Sequence, residues 1–281
     1  VPARLRGASL ETYFTDLPVS DLLQVILLGL IEGVTEFLPI SSTGHLIIAE
    51  HFGLGERSEV FNVVIQAGAI LAVVAIYRKR LWELTRGFAR PENRDYALKL
   101  AAAFLITAVL GLIVTKLGFK LPEAIGPIAW ALLIGGFWMM AAEWLAAKKP
   151  DASQITWTVA IAVGLAQIVA GVFPGTSRSA ATIFVAMLAG TSNRAAATEF
   201  AFLVGIPTMF AASGYELLKA LKHGGAGGEN WGALGVAFVV STITAFIAVK
   251  WLLGYIRSHR FTVFAVYRIV LGAALLVLVP A

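Results

Sequence analysis

The chain has 281 residues, 58% hydrophobic and 14% charged, with a mean hydropathy of +0.81. A soluble globular domain carries about 25% charged residues, so the composition excludes an ordinary water-soluble domain and points to a membrane protein. The net charge of +5 needs no nucleic-acid partner, since Lys and Arg cluster between apolar segments as in membrane-protein loops, and the absence of cysteine excludes disulfides and thiolate metal sites.

Residues 1–20 hold Arg4, Arg6, Glu11 and Asp16 without a compact apolar core. They read as an N-terminal extension rather than a cleavable signal peptide. Residues 21–281 read as a single membrane-embedded catalytic domain, with one repeat over 21–147 and another over 155–281. Leu22–Leu38 is apolar but carries Glu32 and Glu36 and ends at Pro39. A Ser/Thr/Gly cluster and the short stretch Leu46–Phe52 follow, then the spans Phe61–Tyr77, Leu100–Thr115 and Ile125–Ala147. The second half repeats the order. Ile155–Phe173 carries Gln167 and ends at Pro174, the short stretch Ala180–Ala189 follows, and Ala195–Leu218, Trp231–Leu253 and Phe261–Val279 are the spans.

The short stretches reach only about 10–15 Å as helices and cannot cross a bilayer. The expected fold class is therefore all-α: a polytopic integral membrane protein with six transmembrane helices plus two re-entrant helix-loop-helix pairs, arranged as inverted-topology repeats. A barrel would show short alternating strands instead of continuous apolar runs. The letters support the duplication. Gly29–Gly44 lies over Gly164–Ser179 at an offset of 135, matching Gly29 to Gly164, Leu30 to Leu165, Val34 to Val169, Pro39 to Pro174 and Ser42 to Ser177. Glu32 faces Gln167 in this alignment.

Charge orients the chain. One side holds Arg78, Lys79, Arg80, Arg86, Arg90, Arg94, Lys99, Lys148, Lys149, Arg194, Arg257 and Arg260. The other holds Arg4, Arg6, Arg57, Lys116, Lys120, Lys219 and Lys222. The richer side is expected to be cytoplasmic.

Glu32 and Glu36, four residues apart, share one helix face. Carboxylates within an apolar membrane segment are costly and mark function, whereas Glu143 reads as an ordinary span-end acid near Lys148. The pair suits a hard divalent cation such as Mg²⁺ or Ca²⁺, or a general base. Next come Ser41, Ser42, Thr43 and His45. The hydroxyls can cap the following helix and turn its N–H groups toward an anion. One of them, Ser42 by its alignment, can instead be a nucleophile, and His45 can exchange a proton with a leaving oxygen. The second loop brings Arg178, whose guanidinium suits phosphate oxygens or an acid of the first loop. Gly175, Thr176, Ser177 and Ser179 add donors, and Thr182 follows one turn later. Asn62, Gln66 and Glu199 are weaker cavity candidates.

Glu32–Leu46 (EGVTEFLPISSTGHL) and Pro174–Thr182 (PGTSRSAAT) resemble the two signature segments of the bacterial undecaprenyl-diphosphate phosphatases, the bacitracin-resistance family. The likeness extends through Phe61–Val74, Glu199–Pro207 and Phe264–Ala273 and leaves residues 1–20 unmatched. It implies hydrolysis of undecaprenyl diphosphate to undecaprenyl phosphate and inorganic phosphate with a divalent cation. It further implies carrier-lipid recycling for cell-wall synthesis, bacitracin resistance, and a multi-pass protein of the bacterial cytoplasmic (inner) membrane with its site open toward the outer face. Carried over by position, the essential residues are Glu32, Glu36, Ser42, His45 and Arg178; whether Ser42, another hydroxyl or water attacks phosphorus stays open. The competing expectation is a polyprenyl-phosphate flippase or secondary transporter, since inverted repeats with broken helices are a transporter architecture. Membrane phosphatases with PSGH and SR-x5-H signatures are excluded, because Phe184 stands where the second signature needs histidine. The expected partners are the lipid substrate and membrane lipids; a homodimer is compatible with the sequence.

Overall fold

Long apolar runs without water must satisfy their backbone groups internally, and helices do so residue by residue. The computed structural model describes residues 19–118, 124–222 and 230–279; residues 1–18 of the expected N-terminal extension lie outside them, and its last two, Val19 and Ser20, already belong to the first helix. These residues form ten α-helices and one short π turn. The first half comprises α1 (Val19–Thr35), α2 (Ser42–Ala49), the π turn Glu50–Leu54, α3 (Glu59–Arg86), α4 (Pro91–Lys116) and α5 (Ile125–Ala146). The second comprises α6 (Trp157–Val172), α7 (Arg178–Ala189), α8 (Arg194–Lys222), α9 (Trp231–Tyr255) and α10 (Thr262–Leu278).

Helix boundaries follow local chemistry. Ser58, Thr156 and Asn230 cap α3, α6 and α9 by accepting from Phe61, Val159 and Ala233 N–H groups. Pro91 opens α4, where its missing N–H costs nothing. Five helices, α3, α4, α5, α8 and α9, are long and apolar enough to cross a membrane. Many large apolar side chains face outward on them, including Leu105 and Val109 on α4, Ile134 and Phe137 on α5, and Ile243 and Ile247 on α9. A soluble protein does not tolerate such continuous apolar surface, and lipid is its natural solvent. This is a multi-pass membrane protein. The expected sixth span corresponds to α10, a 17-residue helix packed along α5.

The two halves interlock. Helix α1 packs against α9 and α6 against α4, while α3 meets α8 and α5 meets α10. Small residues set the closest approaches. A Cβ added at Gly29 would lie 2.8 Å from the Ala237 carbonyl oxygen, and one at Gly164 would lie 2.8 Å from that of Ala103. Likewise a Cβ added at Gly136 would lie 2.8 Å from the Ala265 carbonyl oxygen, and one at Gly272 would lie 2.7 Å from that of Ala129. Each contact occurs twice, with the halves exchanging roles, so the same packing solution is used in both.

The short elements differ in extent from the expectation. Helix α2 begins at Ser42 and α7 at Arg178, each directly after a serine cap. Ser41 accepts from Gly44 N–H and Ser177 from Ala180 N–H. Both caps have positive φ, 78° and 68°. The structural twin of Ser177 is thus Ser41, not Ser42, because the second loop holds one more residue between its proline and its cap. Ser42 and Arg178 consequently occupy the same place, the first residue of each short helix. Glu143 also departs from expectation. It ion-pairs with Arg194, while Lys148 lies over the Trp144 ring.

Candidate active site

The two loops meet. Glu36 extends the last turn of α1, its N–H donating to the Glu32 carbonyl at 2.9 Å. Its carboxylate serves both loops: Oε2 accepts from Ser42 Oγ, and Oε1 pairs with Arg178 Nη2 at 2.6 Å. The Glu36 side chain is only 4% exposed, whereas that of Arg178 is 26% exposed and faces a cavity. Ser42 is buried. Among Ser41, Ser42 and Thr43, it is Ser42 whose hydroxyl donates to the carboxylate. Ser41 instead uses its oxygen as a cap.

Glu32 lies one turn before Glu36 and is 2% exposed. Gln167, which faces it in the alignment, lines the cavity and donates through Nε2 to Thr107 Oγ1 at 2.9 Å. The cavity has a volume of about 310 Å³. Glu36, Ser41, Ser42, Thr43, Ser177 and Arg178 form its polar end, and Gly111, Val114, Ile168, Ala170, Val172 and Ala212 line much of the remainder. Both short helices start at the polar end, so two sets of first-turn N–H groups and two positive helix ends converge there.

Other expected residues have structural partners. Ser179 Oγ donates to the Leu38 carbonyl at 2.9 Å and thereby ties the second loop to the first. Thr182 Oγ1 donates to the Arg178 carbonyl at 2.8 Å within its own helix. Thr176 contributes its carbonyl to Arg268, and Gly175 lines the cavity with φ 88°, where any Cβ would press on Ile128 and Ala131. His45 is not brought to the cavity lining. Its Nδ1 meets the Ser41 carbonyl at 2.7 Å, and its Nε2 meets the Tyr267 hydroxyl at 2.6 Å. A carbonyl can only accept, so Nδ1 carries the hydrogen, and a neutral His45 ring would accept a hydrogen bond from the Tyr267 hydroxyl at Nε2. Gln66 accepts from Ser213, and Glu199 pairs with Arg80; neither lines the cavity.

The family model described as bacitracin resistance protein BacA matches residues 25–274. This chain belongs to that family. It is 73% identical over 256 residues to an undecaprenyl-diphosphatase of Rhizobium etli, covering 91% of this chain and 96% of that protein. It is 65% identical over 263 residues to an undecaprenyl-diphosphatase of Xanthomonas axonopodis pv. citri, covering 94% and 99%. The BacA match includes both loops and α10 as far as residue 274.

Sequence reasoning passed over Arg268. It is 0% exposed on α10 and donates to backbone carbonyls of both loops. An arginine inside an apolar run was the available signal.

The expected cation can be tested against the donor set. Glu32 and Glu36 supply hard oxygen donors, but the described residues contain no group of three or more metal-ligating acids or imidazoles. Mg²⁺ often binds through one or two carboxylates plus substrate phosphates. Arg178 and the first-turn N–H groups offset only part of the negative charge that Glu32, Glu36 and a bound diphosphate would bring together. The residues therefore fit a cation shared with the substrate.

Proposed function

We propose that this protein hydrolyses undecaprenyl diphosphate to undecaprenyl phosphate and inorganic phosphate, recycling the carrier lipid for cell-wall synthesis and conferring bacitracin resistance. One observation carries the reading. The Ser42 hydroxyl donates to a buried Glu36 carboxylate whose other oxygen holds Arg178, at the charged end of a cavity whose remaining wall mixes apolar side chains with Thr107, Thr115, Gln167 and Thr208. That end suits a diphosphate, and the apolar side chains suit the first prenyl units. The rest of the tail exceeds 310 Å³ and lies outside among helices and lipid.

Glu36 takes the Ser42 proton as Oγ attacks the terminal phosphorus. The bond from that phosphorus to the bridging oxygen breaks, and undecaprenyl phosphate leaves. Water then attacks the phosphoserine phosphorus, the proton on Glu36 passes to the departing Ser42 Oγ, and inorganic phosphate leaves with both hydrogens of the water, which restores the Ser42 hydroxyl and the Glu36 carboxylate. Arg178 and the first-turn N–H groups of α2 and α7 hold the phosphoryl oxygens as charge redistributes, which is the main source of acceleration in phosphoryl transfer. Glu32 and Glu36 would hold the divalent cation, Mg²⁺ or Ca²⁺, which when bound neutralises phosphate charge.

The reading extends to topology. Six spans, α10 included, and two re-entrant pairs, α1–α2 and α6–α7, form inverted repeats in the bacterial inner membrane; the reciprocal glycine contacts and paired serine caps support this. The cavity reaches Gly111, Val114 and Thr115 in the last turns of α4, at the end opposite the Arg-rich connections. It therefore opens toward the outer face.

The test is phosphate release from undecaprenyl diphosphate by the purified protein. Release that persists at the wild-type rate when Glu36→Ala and Arg178→Ala are combined would sink the proposal.

A further inference from the structure

Arg268 occupies an unusual position. Its Nη1 donates to the Thr176 carbonyl at 2.8 Å and, more weakly, to that of Pro39 at 3.4 Å. Its Nη2 donates to the carbonyls of Gly175 at 2.9 Å and Ala131 at 3.0 Å. Pro39 precedes Ser42 by three residues and Thr176 precedes Arg178 by two. One planar group thus grips the backbone just upstream of both reacting side chains. Among the described residues no carboxylate pairs with it. Burying an unpaired guanidinium inside a membrane protein is expensive.

The fold itself does not require this cost. Gly136 and Gly272, and Ala129 and Ala265, exchange roles at an offset of 136. At the same offset, the counterpart of Arg268 is Leu132, which is fully buried. The same packing in the other half is therefore completed by an aliphatic side chain. Gly135 completes the asymmetry, because a Cβ there would collide with the Arg268 guanidinium.

We infer that Arg268 is a positioning residue for the phosphoryl transfer: it locks the two loops in one register, so that Ser42, Glu36 and Arg178 meet, and sets an unpaired positive charge behind the phosphate site. The inference rests on the proposed hydrolysis. Arg268 touches backbone and not the reacting atoms, so its loss should act on turnover more than on substrate affinity.

The experiment uses the full chain purified in detergent, with Arg268→Met, Arg268→Lys, Gly135→Ala and the control Leu132→Met. Phosphate release is measured across undecaprenyl diphosphate concentrations beside the melting temperature of each variant. Arg268→Met and Gly135→Ala should each lower kcat by about 100-fold, the scale of a small misplacement of reacting groups, with KM within a few-fold. Arg268→Lys should recover only part, since an ammonium cannot grip both loops in a fork. Gly135→Ala keeps the arginine and adds a helix-favouring residue, so it decides the matter if Arg268→Met fails to fold. Near-wild-type kcat in folded Gly135→Ala overturns the inference, as does a loss of kcat that merely follows melting temperature along the line set by Leu132→Met. A wild-type protein that releases no phosphate overturns the hydrolase reading itself.

Discussion

Loop one and loop two start their short helices alike and diverge at the next residue. Ser41 and Ser177 both sit at positive φ, and each accepts from the N–H three residues on. One position later stand Ser42 and Arg178, and both side chains reach Glu36. One turn back from the loops, Glu32 in α1 corresponds to Gln167 in α6. The two loops thus share their caps and differ in their chemistry. One copy brings a hydroxyl and two acids; the other brings a cation and an amide. The comparison separates residues that build the loop from residues that use it, and the two classes should respond differently to substitution.

The largest effect is expected at the first helical residue of loop one. Ser42→Ala removes the hydroxyl that Glu36 accepts and leaves the cap at Ser41 intact. Phosphate release should fall by at least about 10³-fold, in line with loss of a nucleophile, while the melting temperature stays within a few degrees of wild type. Retained turnover would hand the attack to water or to a neighbouring hydroxyl. At the twin position, Arg178→Lys keeps charge but loses the planar fork. A drop of about 10²–10³-fold in kcat/KM is expected, the scale of losing one preorganised donor to a developing oxyanion. Full activity with lysine would show that charge alone suffices there.

A smaller change tests the second asymmetry. Glu32→Gln makes the first copy resemble the second at this position. If Glu32 helps to hold the cation, the concentration of Mg²⁺ or Ca²⁺ needed for half-maximal activity should rise by at least about 10-fold, since even outer-shell changes around metals act on that scale. A reduced rate with an unmoved cation requirement would assign Glu32 to the substrate or the loop instead.

The sequence carried the scaffold and the charged half of the site because both have strong physical signatures. Continuous apolar runs can only be helices in lipid, and acids or an arginine inside such runs are too costly to be idle. That logic singles out Glu32, Glu36 and Arg178 as candidates, and the fold pairs Glu36 with Arg178. The same logic applied equally to Arg268, but its partners are main-chain carbonyls in loops about 90 and 230 residues away, and no letter pattern marks a carbonyl. His45 is a candidate by its place in the chain, nine residues after Glu36 and beside three hydroxyls; the contact of its ring with Tyr267, 222 positions away, has no such signature. The letters pair Ser177 with Ser42 because prolines anchor that alignment, whereas the fold pairs it with Ser41 because the caps correspond. One extra residue between Pro174 and Ser177 shifts the match.

The smallest predicted effect bears on that shift. Ser177 gains from its cap and from the contact of its hydroxyl with Ser179 Oγ at 3.0 Å, yet bears the cost of a φ of 68°. Ser177→Ala keeps the unfavourable backbone and loses the cap, so it should cost about 1 kcal/mol. Ser177→Gly also loses the cap but relieves the backbone, where glycine is at ease. It should therefore melt close to wild type and above the alanine variant. The same order is expected for Ser41→Gly and Ser41→Ala, because the backbone there is equally strained. An alanine variant as stable as glycine at both sites would mean that the caps are not equivalent strained turns. The order holding at Ser41 and Ser177 but reversing at Ser42 would tie the pairing to backbone conformation. Ser42 lies inside α2, where glycine should cost about 0.5–1 kcal/mol relative to alanine.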